Sequence, residues 1–295
     1  MLAATFVWST AGVAQRALDA GPATQVADRA VFSTLTLLAL VLATERGSTT
    51  RAFRSIGRWG LVAAILWGIA SSAFILSLNY TTVANVLFMQ ATAPMIAALL
   101  GWTLLSETIP VRTWLAISLV GAGVALMVGG SLSGGGRAVL VPFAMSAAFA
   151  GVVVITRHRR EISMLPAACA SQVLVVAVVG PFAAMGSATG RDWALLALLG
   201  VTVGVGLALL TVGARLIPPA EVALITSLQL VLGPLWVWLA YDERPSAATL
   251  AGGSVVAAAV LVQATGDLGT RFAASPAPAA VAVDDGSPGA VGSNR

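Results

Sequence analysis

The chain reads as an all-α integral membrane protein of about ten transmembrane helices, arranged as two inverted five-helix repeats. Three observations predict this. The sequence is 58% hydrophobic and only 9% charged, with a mean hydropathy of +0.92. A soluble domain carries about 25% charged residues, so this chain has too little charge to cover a wetted surface. Apolar runs long enough to cross a hydrocarbon core, which takes roughly 20 helical residues, recur between short polar breaks. They must be helical, because only a helix or a closed barrel satisfies its backbone in lipid. Finally, the layout repeats. A shift of 136 positions carries Ala84, Val86, Leu99, Trp102, Glu107, Thr113, Ser118 and Val124 onto Ala220, Val222, Leu235, Trp238, Glu243, Thr249, Ser254 and Val260. The Ala and Val matches are cheap in this composition; the Trp and the Glu at a span's end are not.

In chain order, Met1 to Leu18 forms the first span and Ala20-Gly21-Pro22 ends it. The span starts abruptly at Met1, which leaves a helix without a cytoplasmic tail or a true start a few residues upstream. With no basic segment before it and no cleavage region after it, it is not expected to be a removable signal peptide. Helix two covers about Val26 to Ala43 and is followed by the basic loop TERGSTTRAFRSIGR; helix three covers about Trp59 to Tyr80. The central pair, Val83 to Leu105 and Val111 to Met127, is separated by SETIP. Helices one to five make a first unit, 1–130, and the Ser- and Gly-rich 131–138 is a linker. The second unit, 139–266, holds Val139 to Thr156, Ser163 to Met185, Trp193 to Leu216, a helix from Pro218-Pro219 to Tyr241, and Ala247 to Ala264. Residues 267–295, rich in Ala, Pro, Gly, Ser and Asp, read as a disordered cytoplasmic tail.

All sixteen basic residues are arginines scattered in loops, with no basic face and no interleaved aromatics, so a nucleic-acid partner is excluded despite the pI near 10.5. With both termini inside, the cytoplasmic loops hold Arg46, Arg51, Arg54, Arg58, Arg112, Arg157, Arg159, Arg160 and Arg215, and the other face Arg16, Arg29, Arg137, Arg191 and Arg244. That bias predicts cytoplasmic termini. Cys169 is the only cysteine and His158, in the loop RHRR, the only histidine. Neither a disulfide within the chain nor a metal site follows from them, and no cofactor is expected.

The string TTVANVLFMQATAPMIAALLGWTLLSE resembles the fourth helix of EamA-type carriers of the drug/metabolite transporter (DMT) superfamily, with its small-residue start, mid-helix proline and closing glutamate. EVALITSLQLVLGPLWVWLAYDE is similar to the matching helix of that family's second repeat. Trp8-Ser9-Thr10 and Arg29 also sit where the family tends to place a tryptophan–small pair and an arginine. There are departures. Leu230, not proline, stands at the position equivalent to Pro94, with Pro234 four residues on, and Gln229 stands where the family often has an acid. The resemblance covers about Leu2 to Ala264. It implies two five-helix EamA repeats, both ends cytoplasmic in the cell (inner or plasma) membrane, and efflux or exchange of small metabolites such as amino acids.

The candidate substrate pathway is Trp8, Arg29, Gln90, Thr92, Pro94, Thr226, Gln229 and Pro234. Pro94 removes the donor that would bond the carbonyl of Gln90, and Pro234 does the same to Leu230. The freed carbonyls, flanked by Gln90 and Thr92 in one helix and by Thr226, Ser227 and Gln229 in the other, offer polar contacts at similar depth in corresponding helices. The plainer reading is a kink whose polar groups bond neighbouring helices. Arg29 can attract an anionic group such as a substrate carboxylate, or anchor at the interface paired with Asp28 or Asp19; unpaired at mid-bilayer an arginine costs about 2.5–3.5 kcal/mol. Trp8 can line the pathway or fill a helix interface. Glu221 is a candidate coupling carboxylate, or simply an acid favoured by a helix N-terminus. Glu107 and Glu243 read as boundary residues.

These features favour a secondary carrier of small molecules. No GxxxxGK[ST] loop offers ATP drive, and few ionisable groups lie deep enough for an obligatory proton relay. A membrane-embedded enzyme would need a base or paired acids at depth, and no span holds a His. A receptor or scaffold is a third reading, and a second copy of the chain, as a homodimer, is a candidate partner.

Overall fold

A computed structural model describes residues 2–44, 48–130, 135–159, 164–184, 188–216 and 228–274. Every regular element among them is helical: α1 (Leu2–Ser9), α2 (Ala11–Arg16), α3 (Pro22–Thr44), α4 (Thr49–Ser55), α5 (Gly57–Tyr80), α6 (Val83–Gln90), α7 (Ala93–Leu105), α8 (Val111–Gly130), α9 (Arg137–His158), α10 (Leu165–Val179) continued by a 3₁₀ turn (Gly180–Phe182), α11 (Gly190–Leu216), α12 (Gln229–Tyr241) and α13 (Ala247–Ala274). Among the described residues, seven spans are long and apolar enough to cross a membrane, one of them Val83–Leu105 taken as a whole. The other expected spans correspond to shorter pieces, α1 with α2, α12, and the Ala247–Gln263 part of α13.

Two spans are interrupted where the chain offers a reason. The first breaks at Thr10, where Ser9 Oγ donates to the Phe6 carbonyl and Thr10 Oγ1 to that of Val7. Such back-bonding competes with the helix ladder. The fourth breaks between Gln90 and Ala93, one turn before Pro94, as the missing N–H requires. At Pro234, by contrast, α12 runs on unbroken. Two further differences concern ends. The basic loop after α3 carries the short helix α4, and α13 continues to Ala274, eight residues past the point where composition turns tail-like.

Helix faces are sorted by size rather than polarity. On α5 the exposed stripe is Leu61, Ile65 and Ile69, while Gly60, Ala63, Ala64 and Gly68 are buried. With lipid as the outer solvent, burying a Leu gains little, and small residues let helices approach. The approach is closest where α8 meets α13. A methyl group added at Gly123 would lie 2.7 Å from the carbonyl oxygen of Gly252, and one at Gly252 would strike the Gly123 carbonyl in return. Beside them Ala116, Val120, Val256 and Ala259 form one buried cluster.

The packing partners obey the 136-position offset. The seam pairs α8 with its own counterpart α13, and α3 packs on its counterpart α10. Packing of α5 on α9 is matched by packing of α11 on α1, and α3 on α11 by α10 on α5. The non-glycine residues with left-handed backbone among the described residues are Ser106 (φ 54°) and Asp242 (φ 51°), 136 positions apart. Each ends a helix and turns the chain into a glutamate, Glu107 or Glu243. Two copies of one structural unit are therefore present in this fold.

Candidate functional site

The fourth span packs, through α6, on α12, the described part of the corresponding span of the second unit. In α6, Val83, Val86, Leu87 and Met89 are buried against Leu230 and Val237 of α12. Leu87 rests on the bare backbone of Gly233, and Val83 and Val237 both close over Gly12 of α2. Those contacts, Leu87 with Gly233 and Val83 with Val237 over Gly12, run in opposite senses along the two helices, and the same register continued by three residues matches Gln90, at the end of α6, to Leu230, the residue after Gln229. Both glutamines are half-buried, and neither side chain makes a hydrogen bond among the described residues.

The other expected residues divide. Thr92 is buried and structural: its Oγ1 lies 2.7 Å from the Met89 carbonyl and 2.8 Å from Ser146 Oγ, joining the α6–α7 break to α9. Pro94 breaks the helix as expected, but its ring sits on the exposed side of α7, away from the buried Ala93, Met95 and Ala97. Trp8 fills an interface, its indole lying over Gly206 so closely that any side chain there would collide, against a cluster containing Leu37, Leu165 and Leu207. Pro234 is half-buried within α12. Thr226 and Glu221 lie outside the described residues.

Arg29 is only 3% exposed, its side chain packed inside the bundle. Its Nη2 donates to Ser71 Oγ at 2.7 Å and to the Ser71 carbonyl at 3.3 Å, while Nε has no partner. Asp28, buried in the next position, bonds nothing through either oxygen, and Asp19 offers its backbone N–H to Asp192 instead. The carboxylates expected to pair with Arg29 therefore do not. Gln172 of α10, fully buried, donates through Nε2 to Ser171 Oγ at 3.1 Å and to Ser71 Oγ at 3.5 Å, and its Oε1 is unsatisfied.

At one end of the bundle lies a second polar group that was not anticipated. Glu243 Oε2 pairs with Arg16 Nε at 2.8 Å, and Oε1 accepts the Val83 N–H at 2.8 Å. Arg16 also donates to the carbonyls of Leu78 and Thr81. Nearby, Gln15 Nε2 donates to Gln25 Oε1 at 2.6 Å, which also accepts from Asn79. At the opposite end Glu107 pairs with Arg157. Local periodicity could not reveal these pairs. The matching glutamates were the available signal, and each takes its arginine from the other unit.

Residues 1–129 and 136–265 each match the EamA-like transporter family. The two matches end 136 positions apart, the offset read from the residues. A crystal structure titled "Crystal structure of protein" superposes with a TM-score of 0.62 over 91% of this chain and 96% of that one, at 19% sequence identity, a likeness of fold alone. No curated protein matches the chain.

Proposed function

The chain belongs to the EamA-like transporter family, and on that premise we propose that it is a secondary carrier moving a small metabolite, an amino acid or a related compound, by efflux or exchange. Its two repeats alternate access around a cavity at mid-depth. A unit of five spans is odd-numbered, so its second copy enters the membrane from the other side, the arrangement from which alternating access follows. The observation that carries this reading is the register of α6 against α12. Continued by three residues, that register supports a site where Gln90 and Gln229 approach one another; both are half-buried, and neither side chain makes a hydrogen bond among the described residues. Paired amides at membrane depth supply donors and acceptors for a polar solute without the cost of a fixed charge.

The test is transport in proteoliposomes by a Gln90→Ala, Gln229→Ala double variant. Losing hydrogen bonds of about 0.5–1.5 kcal/mol each predicts a fall of about tenfold or more, with thermal unfolding unchanged. Wild-type rates in that variant remove the amides from the pathway.

A further inference from the structure

We propose that the Glu107 end of the bundle carries a binding site for the headgroup of an anionic phospholipid, built on Arg51 and Arg54 of α4 with Arg58 of α5. The site lies on the outside of the bundle and does not depend on the carrier reading above.

The first observation is a sorting of charge that the fold makes and chain order hides. Among the described side chains at the Glu107 end, Arg51, Arg54, Arg58, Arg112, Arg157 and Arg159 stand with a single acid, Glu107, and Arg157 takes it. At the other end Arg16, Arg137, Arg191 and Arg244 are matched by Asp19, Asp192, Asp242 and Glu243. The surplus is densest over 45–58, where Arg46, Arg51, Arg54 and Arg58 meet one acid, Glu45. Glu45 and Arg46 lie outside the described residues. An excess of cations gathered on one face is drawn to an anionic leaflet.

The second observation is the shape that α4 gives to this charge. Its apolar side clamps it to the bundle: Ala52 is buried, and Phe53 packs on the cluster that contains Leu37, Val41, Leu165 and Leu207. That leaves Arg51 and Arg54, one turn apart, exposed on the outer side. With Ser48 and Thr50 they line an open cleft of about 320 Å³, whose lining is polar throughout and holds no acid. Neither guanidinium is spent on a hydrogen bond or an ion pair among the described residues. Two planar donor forks beside one cleft, with no carboxylate to neutralise them, suit the oxygens of a phosphate.

The third is depth. Arg58 and Trp59 lie in the first turn of α5, and its exposed apolar stripe Leu61, Ile65 and Ile69 begins about 4.5 Å further along the axis from Arg58. Trp59, Trp102 and Trp114, all exposed, stand at this same end, with Trp102 and Trp114 edge to face. Exposed tryptophans at a span's end mark the headgroup level. A phospholipid therefore fits the cleft and the stripe together, its phosphate among the arginines and its acyl chains along α5. A choline headgroup would bring a further cation to a cationic site, so the fit is to a headgroup of net negative charge.

The experiment uses the full chain, purified in an uncharged detergent. It is titrated with phosphatidylglycerol, with phosphatidylcholine of the same acyl chains, and with glycerol 3-phosphate, and thermal unfolding is followed at each concentration. Phosphatidylglycerol is expected to stabilise wild type at concentrations at least tenfold below those needed of phosphatidylcholine, and glycerol 3-phosphate to have no effect. Arg51→Gln combined with Arg54→Gln should weaken the response to phosphatidylglycerol at least fivefold and leave that to phosphatidylcholine unchanged. Arg244→Gln, at the balanced end, should keep the wild-type preference. Equal stabilisation by the two lipids, or a double variant within twofold of wild type, overturns the site. Stabilisation by glycerol 3-phosphate matching that by phosphatidylglycerol overturns the lipid assignment in favour of a soluble anion. A loss in Arg244→Gln as large as in the double variant reduces the effect to net charge and overturns it as well. If the double variant does not fold, Arg54→Gln alone decides: at least a threefold loss supports the site, and an unchanged response overturns it.

Discussion

The two ends of the molecule carry the same device and use it differently. At each, a left-handed residue, Ser106 or Asp242, swings a glutamate towards an arginine of the other repeat. The Glu243 end is sheltered, its side chains 28% and 20% exposed for Arg16 and Glu243. It draws together α2, the end of α5, the start of α6 and the turn before α13 through four contacts. The Glu107 end is open to solvent, with Arg157 and Glu107 at 51% and 38%. Among the described residues, Arg157 is the partner of the Glu107 carboxylate. Duplication copied the turn and the acid, but stability follows the surroundings. A charge that takes the first N–H of a helix and ties several backbone segments together under cover contributes far more than the same pair in water.

That contrast can be broken, and the largest effect should come from Glu243→Ala. It removes the ion pair from half-sheltered Arg16 and the acceptor of the Val83 N–H, so a loss of about 2–4 kcal/mol is expected, read as a fall in unfolding temperature of the purified protein. Glu243→Gln sharpens the comparison, because the amide oxygen still accepts the Val83 N–H while the ion pair is gone; roughly half the loss should remain. Arg157→Ala should cost no more than about 0.5 kcal/mol, and that small effect should vanish in about 1 M salt, where charges are screened within about 3 Å. If Arg157→Ala matched Glu243→Ala, the ends would be equivalent and the contrast mistaken.

Much of this architecture was legible because lipid imposes simple rules on sequence. Span limits such as 57–80 against an expected 59–80 follow from hydropathy, and the interruption before Pro94 from a missing donor. The extension of α13 was missed because an Ala-rich stretch with scattered Asp, Gly and Arg reads as tail by composition, although alanine is the best helix former. Arg29 was found by type, but its partners were not. Nothing near position 29 says that its acidic neighbour will face elsewhere, or that the bonding hydroxyl comes from position 71 and a further amide from position 172. Arg16 and Glu243 are 227 positions apart, beyond any local pattern, yet comparison of each residue with its own counterpart would have marked Arg29 as unmatched.

The contact of Gly123 with Gly252 has a mechanical consequence. Where two helices meet carbonyl against Cα, sliding one along the other drives peptide groups into each other, whereas turning them about their common line disturbs few atoms. The α8–α13 seam is thus stiff to translation and soft to torsion, an axle rather than a track.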